Sequence, residues 1–176
     1  MDFTDVIRQR RSIRKFRPDP VPSDALQRIL DAVRLAPSWA NMQGVKIVVV
    51  TTPEQIQKVT TAVGQRWLKN PPALIVVGIE PNDSGTNSNG LQNYPVDAAI
   101  VLYQILLAAT NEGLATCWIG WFNEEEMKAA LNTPKEMRII GLTPLGYGAK
   151  TPDAQKRKPL TEIICKEDFT TPWPMK

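Results

Sequence analysis

The longest apolar run of the chain lies at residues 96–112 and reads VDAAIVLYQILLAATNE. Apolar residues occupy nearly every side of the helix that this run predicts, and Gly113 stands where glycine commonly ends a helix. Such a helix must be buried all round. In a chain of 176 residues, its cover comes either from the rest of the domain or in part from a second subunit, and we favour a dimer.

Shorter elements surround this helix on both sides. β-Branched runs predict strands at residues 46–50, 73–79, 116–121 and 137–145. Capping residues and helical spacing predict helices at residues 5–11, from 23 to before 37, from 53 onward and at 123–131. The polar loop at residues 80–95 has the composition of a mobile segment or lid. Residues 160–165 form a further strand-like run, which needs a sheet edge to join.

The composition restricts the possible chemistry. The chain contains 0 His, which removes serine–histidine and cysteine–histidine nucleophile chemistry and the common imidazole metal sites. Cys117 and Cys165 have no metal-ligand spacing, so we expect no metal site. We interpret both as buried apolar side chains in a reducing compartment. Any catalysis therefore needs a bound reagent.

Charge and hydropathy restrict the possible partners. The net charge is +3 with 22% charged residues, so bulk electrostatics do not require a nucleic-acid partner. Residues 1–11 are amphipathic and charged, without an apolar signal core, and the apolar runs stop short of a bilayer span. We therefore expect a cytoplasmic protein without membrane contact, in which local clusters of charge matter more than the total.

Two basic clusters lie far apart in the sequence. The first runs from Arg8 to Arg17 and is interrupted by Ser12, and the second is at residues 156–158. Arginine forks and a hydroxyl group suit a phosphate, and two separated clusters could converge on one phosphate group. The residues leave open three alternatives: a solvated basic face, a nonspecific nucleic-acid patch and a basic surface tail.

Two further segments could contact a planar ligand. Residues 37–43 read PSWANMQ, and short polar amides on such a turn can hydrogen-bond the edge of a heteroaromatic ring. Residues 117–122 read CWIGWF, where Gly120 would let backbone approach a ligand and aromatic neighbours could wall a pocket. An ordinary loop and an aromatic core are the competing interpretations.

Taken together and in this order, these segments resemble the nitroreductase family of FMN enzymes. The resemblance covers nearly the whole chain and depends on the order of its motifs, since each motif alone is weak. The motifs are RRSIRKF at residues 10–16, APSWANMQ at 36–43, DAA at 97–99, GLATCWIG at 113–120 and LGYG at 145–148. The chain is short for the family, so we expect a lid that is reduced or built differently.

The resemblance implies an α+β fold in which helices flank a central, mostly antiparallel sheet. It implies a single FMN-binding domain over residues 1–176 and an interlocked homodimer whose FMN sites lie at the interface. The tail from about residue 149 would reach the partner subunit, where residues 160–165 would join its sheet as an exchanged strand. Such a dimer supplies both the missing cover of the apolar helix and the missing sheet edge.

The resemblance also implies which residues form the site. Arg10 and Ser12 match residues that hold the FMN phosphate, and Arg157 with Lys158 matches the basic group that reaches it from the tail. Arg11 would be a further cofactor-binding residue. Arg14 matches a basic residue at the pyrimidine edge of the flavin, where it would stabilise the negative charge that reduction creates. The other subunit would line the flavin with Pro37, Ser38, Trp39 and Asn41. Backbone groups of Ile119 and Gly120 would face the N5 and O4 edge. Whether Gln65, Lys69 or Asn70 contacts the flavin stays open.

The reaction that the resemblance implies is a ping-pong electron transfer. NADH or NADPH gives hydride to FMN and leaves, and an electron-poor acceptor such as a nitroaromatic or a quinone takes the electrons from the same face. No acid or base side chain is required, in agreement with the lack of histidine. The alternatives are a specialised flavin reaction (dehalogenation, enone reduction or dehydrogenation), a flavin-binding or storage protein with little turnover and, without the resemblance, a basic nucleic-acid binder.

Overall fold

A computed structural model describes residues 1–174 of the chain. Its strands are β1 (Val45–Val50), β2 (Ala73–Ile79), β3 (Ala115–Thr116) and β4 (Arg138–Gly146), which form one sheet in the spatial order β1-β2-β4-β3. Each neighbouring pair is antiparallel. Every residue of β2 is buried, because its continuous apolar sequence leaves no polar face to meet solvent.

Helices cover both faces of this sheet. They are α1 (Phe3–Gln9), α2 (Ser23–Val33), α3 (Pro53–Val63), α4 (Tyr94–Asn111) and α5 (Glu124–Leu131). Because side chains alternate along a strand, Ile75 and Val77 of β2 pack with α2 and α4, whereas Leu74 and Val76 pack with α3 and α5. The fold is α+β, as the resemblance implied. In the described part of the chain, no helix has the length and hydropathy to cross a membrane.

The long helix α4 is buried along one face and exposed along the other. Ala98, Leu102 and Ile105 are 0% exposed, whereas Val96 and Tyr103 are 44% and 45% exposed. The rest of the domain therefore does not cover the whole helix, and cover by a second subunit stays a prediction. The exposed face of α4 and the start of α1 enclose an apolar groove of about 590 Å³, which we call the α4 groove.

Most other predicted elements are confirmed with small shifts at their ends. β2 spans the predicted residues, and α5 starts at its predicted cap, where the Asn123 side chain accepts a hydrogen bond from the Glu126 N–H. The start of α3 lacks the capping box that Thr52 and Gln55 would form by their spacing. Thr52 occupies the N-cap without a side-chain hydrogen bond, and the Gln55 side-chain amide donates instead to the Ala130 carbonyl.

The third predicted strand, residues 116–121, is wrong over most of its length. β3 ends before Cys117, because the backbone N–H of this residue donates to the Thr143 hydroxyl at 3.1 Å instead of to a strand carbonyl. The chain rejoins β4 only at Ile119, which exchanges backbone hydrogen bonds with Leu142 at 2.9 and 3.0 Å. This detour turns the backbone after Ile119 outward.

The segment after α1 is tied to the sheet and to the start of the tail. The Ile13 N–H donates to the Thr116 carbonyl at 2.9 Å, and the Ala149 N–H donates to the Lys15 carbonyl at 2.9 Å. These two bonds place the first basic cluster beside the residues that begin the tail. Clusters that are distant in sequence therefore become neighbours in the fold.

The tail is exposed along almost its whole length. In the single chain, residues 160–165 do not form a strand: a 3₁₀ helix occupies Leu160–Glu162, and Cys165 pairs with Pro172 across a local turn. The strand exchange with a partner subunit stays a prediction. This local pairing engages backbone groups that a strand would offer to a sheet. Cys165 is exposed, so its predicted burial is wrong.

Candidate functional site

The two basic clusters meet at one cavity of about 610 Å³, which we call the basic cavity. The segment after α1 forms one wall, and the start of the tail forms another. Among the residues predicted from the sequence, the lining includes Arg10, Arg11, Ser12, Arg14 and Arg157. Lys158 is not part of this lining.

Local hydrogen bonds fix the segment that carries these side chains. Ser12 is half-buried and pairs with Thr116 in a parallel bridge. Arg11 folds back onto its own chain, where its Nη1 donates to the Arg10 carbonyl at 2.9 Å and also to the Arg8 carbonyl. Arg11 therefore adds positive charge to the cavity while part of its donor capacity is used by the backbone.

The basic cavity has an excess of positive charge. Within residues 1–174, the side chains of Arg10, Arg14 and Arg157 form no ion pair. One acid, Asp153, borders the cavity together with these arginines. Guanidinium groups that converge without a carboxylate partner favour an anion with several oxygen acceptors, such as a phosphate.

A buried thiol lies next to the basic segment. Cys117 is 2% exposed, which confirms its predicted burial. Burial raises the pKa of the Cys117 thiol, while the Arg14 guanidinium and the Ser12 hydroxyl act in the opposite direction. The net rise keeps the thiol neutral at physiological pH, so this residue has no nucleophilic role in the site.

Arg14 lies over an aromatic ring. Its guanidinium carbon is 5.7 Å from the ring centroid of Trp67, and the indole N–H of Trp67 donates to the Gln65 side-chain carbonyl at 2.6 Å. The Gln65 amide then donates to the Trp121 carbonyl at 3.0 Å. Gln65, which the sequence left undecided, therefore contacts the residue that follows Gly120.

At the turn formed by Ile119 and Gly120, backbone groups rather than side chains are available to a ligand. Ile119 is 3% exposed and packs in the core between β4 and α5, whereas Gly120 is exposed. The other two undecided residues, Lys69 and Asn70, line a separate cavity of about 380 Å³ beside α3. Gln65 also borders that cavity, but none of the arginines of the basic cavity does.

The loop at residues 37–43 is tightly wound. Ala40, Asn41 and Gln43 have φ angles of 42°, 58° and 55°. This left-handed conformation costs a residue with a side chain on the order of 1 kcal/mol or more. The Ser38 hydroxyl accepts a hydrogen bond from the Gln43 N–H at 2.9 Å and closes the turn. Strained backbone of this kind often accompanies a binding role.

A buried carboxylate holds this loop in place. Asp97 is 3% exposed, and it accepts hydrogen bonds from the Trp39 N–H at 2.9 Å and from the Ser84 hydroxyl at 2.7 Å. Asp97 belongs to the DAA motif at residues 97–99 but was not among the predicted site residues. An acid inside an otherwise apolar helix was the available signal, because such an acid needs buried partners.

In the single chain, the loop at residues 37–43 lies apart from the basic cavity. Ser38 and Gln43 border a cavity of about 370 Å³ beside α2 and β1, and Pro37 borders the α4 groove. The structure therefore brings together Arg10, Arg11, Ser12, Arg14 and Arg157, and it leaves Pro37, Ser38, Trp39 and Asn41 at a different surface.

Comparison with known proteins gives the family. The model of the nitroreductase family matches residues 7–94 and residues 60–147, which together span most of the chain. The chain belongs to the nitroreductase family. This nitroreductase-family chain is similar to a crystallised nitroreductase family protein from Clostridium difficile 630, with a TM-score of 0.89, 28% identity and coverage of 96% of this chain and 100% of that one.

Two relatives with named activities match over most of their length. One is the NADH dehydrogenase of Thermus thermophilus, which is 28% identical over 195 residues and is matched over 93% of this chain and 95% of the relative. The other is the FMN reductase [NAD(P)H] of Bacillus subtilis, which is 28% identical over 176 residues, 90% of this chain and 71% of the relative. Both names describe reduced nicotinamide nucleotides as electron donors.

Proposed function

We propose that this chain is an oxidoreductase that holds FMN and transfers electrons from NAD(P)H to an electron-poor acceptor of the nitroaromatic or quinone type. The observation that carries the proposal is the convergence of Arg10, Ser12 and Arg157 on one cavity. Membership of the nitroreductase family and similarity to an FMN reductase [NAD(P)H] support the cofactor and the donor.

The residues at the basic cavity fit the phosphate of FMN. A phosphate monoester carries about −1.5 to −2 charge at neutral pH and presents several acceptor oxygens. Arg10 and Arg157 supply guanidinium forks, Ser12 supplies a hydroxyl donor, and Arg11 adds charge. Lys158 follows Arg157 directly and increases the positive field from just outside the lining.

FMN, when bound, supplies the redox chemistry, accepting hydride from NAD(P)H and giving electrons to the acceptor in a ping-pong cycle. The protein contributes binding, orientation and charge. Arg14 brings a cation to the same cavity and stabilises negative charge that develops on a ligand there. The exposed backbone at Gly120, with that of Ile119, offers groups for the polar edge of the ring.

The proposal includes a homodimer. The α4 groove and apolar side chains of the tail, among them Leu160, Ile163 and Phe169 at 50%, 60% and 100% exposure, are surfaces that one chain leaves uncovered. A second copy that receives the tail from about residue 149 would cover both kinds of surface. It would also bring Pro37, Ser38, Trp39 and Asn41 of one subunit to the basic cavity of the other.

The remaining parts of the proposal concern organisation and location. We treat residues 1–176 as one FMN-binding domain, because the proposed phosphate site combines residues from the start and the end of the chain. A cytoplasmic location is supported by the exposed free thiol of Cys165, since such a thiol persists in a reducing compartment.

The test is an absorbance spectrum of purified protein that has been loaded with FMN and freed of unbound FMN by gel filtration. We expect flavin bands that bleach when NADH or NADPH is added without oxygen and return when a quinone or a nitroaromatic is added. Protein that does not retain FMN contradicts the cofactor assignment. Protein that retains FMN but resists both donors supports a flavin-binding protein with little turnover.

A further inference from the structure

We infer that Trp67 and Gln65 are positioning residues that fix Arg14 relative to the backbone turn at Gly120, and that they thereby tune the reduction potential of the FMN site. The inference rests on the proposed function and adds two residues to it. These residues act through Arg14 and through the Trp121 carbonyl.

Arg14 needs support because its own segment fixes only its backbone. The neighbouring Ile13 N–H is bonded to the Thr116 carbonyl at 2.9 Å, but the Arg14 side chain is exposed and forms no ion pair within residues 1–174. A free arginine samples many rotamers. The Trp67 ring limits this freedom, since 5.7 Å to its centroid lies within the range of a cation–π contact.

Trp67 is itself held on two sides. Its half-buried ring packs against the core between the sheet and α3 and α5, and its indole N–H donates to the Gln65 side chain at 2.6 Å. The ring therefore has a fixed plane. A fixed aromatic plane is what a guanidinium group needs in order to adopt one position over it.

Gln65 connects this pair to the turn. Gln65 follows Gly64, which ends α3 with φ of 66°. The end of the helix therefore fixes the position of the Gln65 backbone. Its amide donates to the Trp121 carbonyl at 3.0 Å, one residue after Gly120. The contacts Arg14 to Trp67, Trp67 to Gln65 and Gln65 to Trp121 thus form one continuous line between two parts of the proposed site.

The consequence is electrostatic. A cation raises the reduction potential of a bound flavin by stabilising the negative charge that reduction adds, and this stabilisation falls as the distance between the charges grows. An arginine that leaves the Trp67 ring is farther from its proposed position on average and is better hydrated. Loss of Trp67 should therefore lower the potential without removing any group that holds the phosphate.

The experiment is a double-mutant cycle on the FMN-loaded protein. Reduction potential is measured by equilibration with a reference dye, and the rate of reduction by NADH or NADPH is measured without oxygen in wild type, W67L, R14M and the double variant. We expect W67L to shift the potential to more negative values and to slow reduction by about threefold, the scale of one solvent-exposed cation–π contact. The double variant should match R14M, because Trp67 acts through Arg14.

Two further variants separate positioning from general loss of structure. W67F keeps a ring beneath Arg14 and should recover most of the wild-type potential. Q65L removes both the acceptor of the Trp67 indole N–H and the donor to the Trp121 carbonyl, and it should shift the potential in the same direction as W67L. The matched control is Y147L, which removes the cation–π pair between Arg17 and Tyr147 at 4.8 Å. That pair borders a different cavity, so we expect the potential in Y147L to equal that of wild type.

The outcomes distinguish this inference from the proposed function. Wild-type protein that retains no FMN overturns both. If wild-type protein retains and reduces FMN, but W67L and Q65L have the same reduction potential as wild type, only the positioning role is overturned. Additive shifts in W67L and R14M, or an equal shift in Y147L, also overturn it, because each shows an effect that does not pass through Arg14.

Discussion

The basic segment at residues 10–14 and the loop at residues 37–43 are built in opposite ways. The basic segment is extended and held by backbone bonds to β3, and its Arg10 and Arg14 side chains form no ion pair within residues 1–174. The loop is wound through left-handed conformations, and its charged partner, Asp97, is buried and fully engaged. Charge in the first region is available to a ligand, whereas charge in the second holds the backbone.

The variant with the largest expected effect tests whether a second subunit brings its loop at residues 37–43 next to the basic segment. Tyr103→Glu places a carboxylate in the α4 groove, where the native side chain is 45% exposed in the single chain. If a partner covers this groove, the buried unpaired charge should weaken the dimer by about 100-fold or more. Sedimentation at several protein concentrations measures this directly.

The control for Tyr103→Glu is Gln57→Glu, which adds the same single negative charge at an exposed position of α3. It should leave the association unchanged. If Tyr103→Glu associates like wild type, the α4 groove is not the interface, and the loop at residues 37–43 does not reach a second basic cavity by this route.

The second effect concerns charges that are free for a ligand. Arg10→Ala and Arg157→Ala each remove a donor from the basic cavity, and a hydrogen bond between charged groups contributes about 1.5–3 kcal/mol. We expect the dissociation constant for FMN to rise roughly 10- to 100-fold in each variant. Fluorescence titration with FMN measures it.

Arg14→Ala should weaken reduction of the flavin more than retention of FMN. Equal FMN affinity in all three variants and wild type would therefore contradict the assignments.

The donor types of the two basic clusters allowed them to converge on one phosphate, but only the family resemblance singled out Arg10, Ser12 and Arg157. The fold brings these three residues to one cavity, and their contact with a phosphate stays a prediction. The position of Lys158 outside the lining could not be predicted, since neighbouring residues on an extended tail point in different directions.

Sequence reasoning failed where long-range hydrogen bonds override local pattern. The run after Thr116 is β-rich, yet the side chain of Thr143, distant in sequence, captures the Cys117 N–H and ends β3. The strand-like residues 160–165 instead form a local turn structure. In the first place the deciding partner is distant in sequence, and in the second it is a local turn that competes with the strand.

The third effect concerns the charge that holds the loop. Asp97→Ala removes the acceptor for the Trp39 N–H and the Ser84 hydroxyl and leaves two partly buried donors without their acceptor. We expect a loss of about 2–3 kcal/mol in the free energy of unfolding, measured by urea denaturation. Asp31→Ala, at an exposed acid on α2, serves as the control and should change it little. Equal stability of the two variants would show that the loop does not depend on Asp97.

The smallest effect is a pH dependence of the free energy of unfolding that arises from an ion pair outside the site. It measures how much a charge that accepts a backbone hydrogen bond contributes when it is partly exposed to solvent. Hydrogen bonding to Arg138 at 2.9 Å lowers the pKa of Glu124 from its ordinary value of 4.5, and Glu124 also accepts the Ile139 N–H at 3.0 Å. Because the folded pKa is depressed, the stabilisation is present above pH 4.5 and disappears as pH falls through the folded pKa.

With Arg138 46% exposed, solvent screening limits this stabilisation to about 0.5 kcal/mol. Urea unfolding between pH 6 and pH 3 should therefore show a slightly steeper loss of stability in wild type than in Glu124→Gln, in which the titrating group is absent. Glu125→Gln, at the exposed neighbouring position, should behave like wild type. If the slopes for Glu124→Gln and Glu125→Gln coincide, the ion pair between Glu124 and Arg138 does not contribute to the free energy of unfolding.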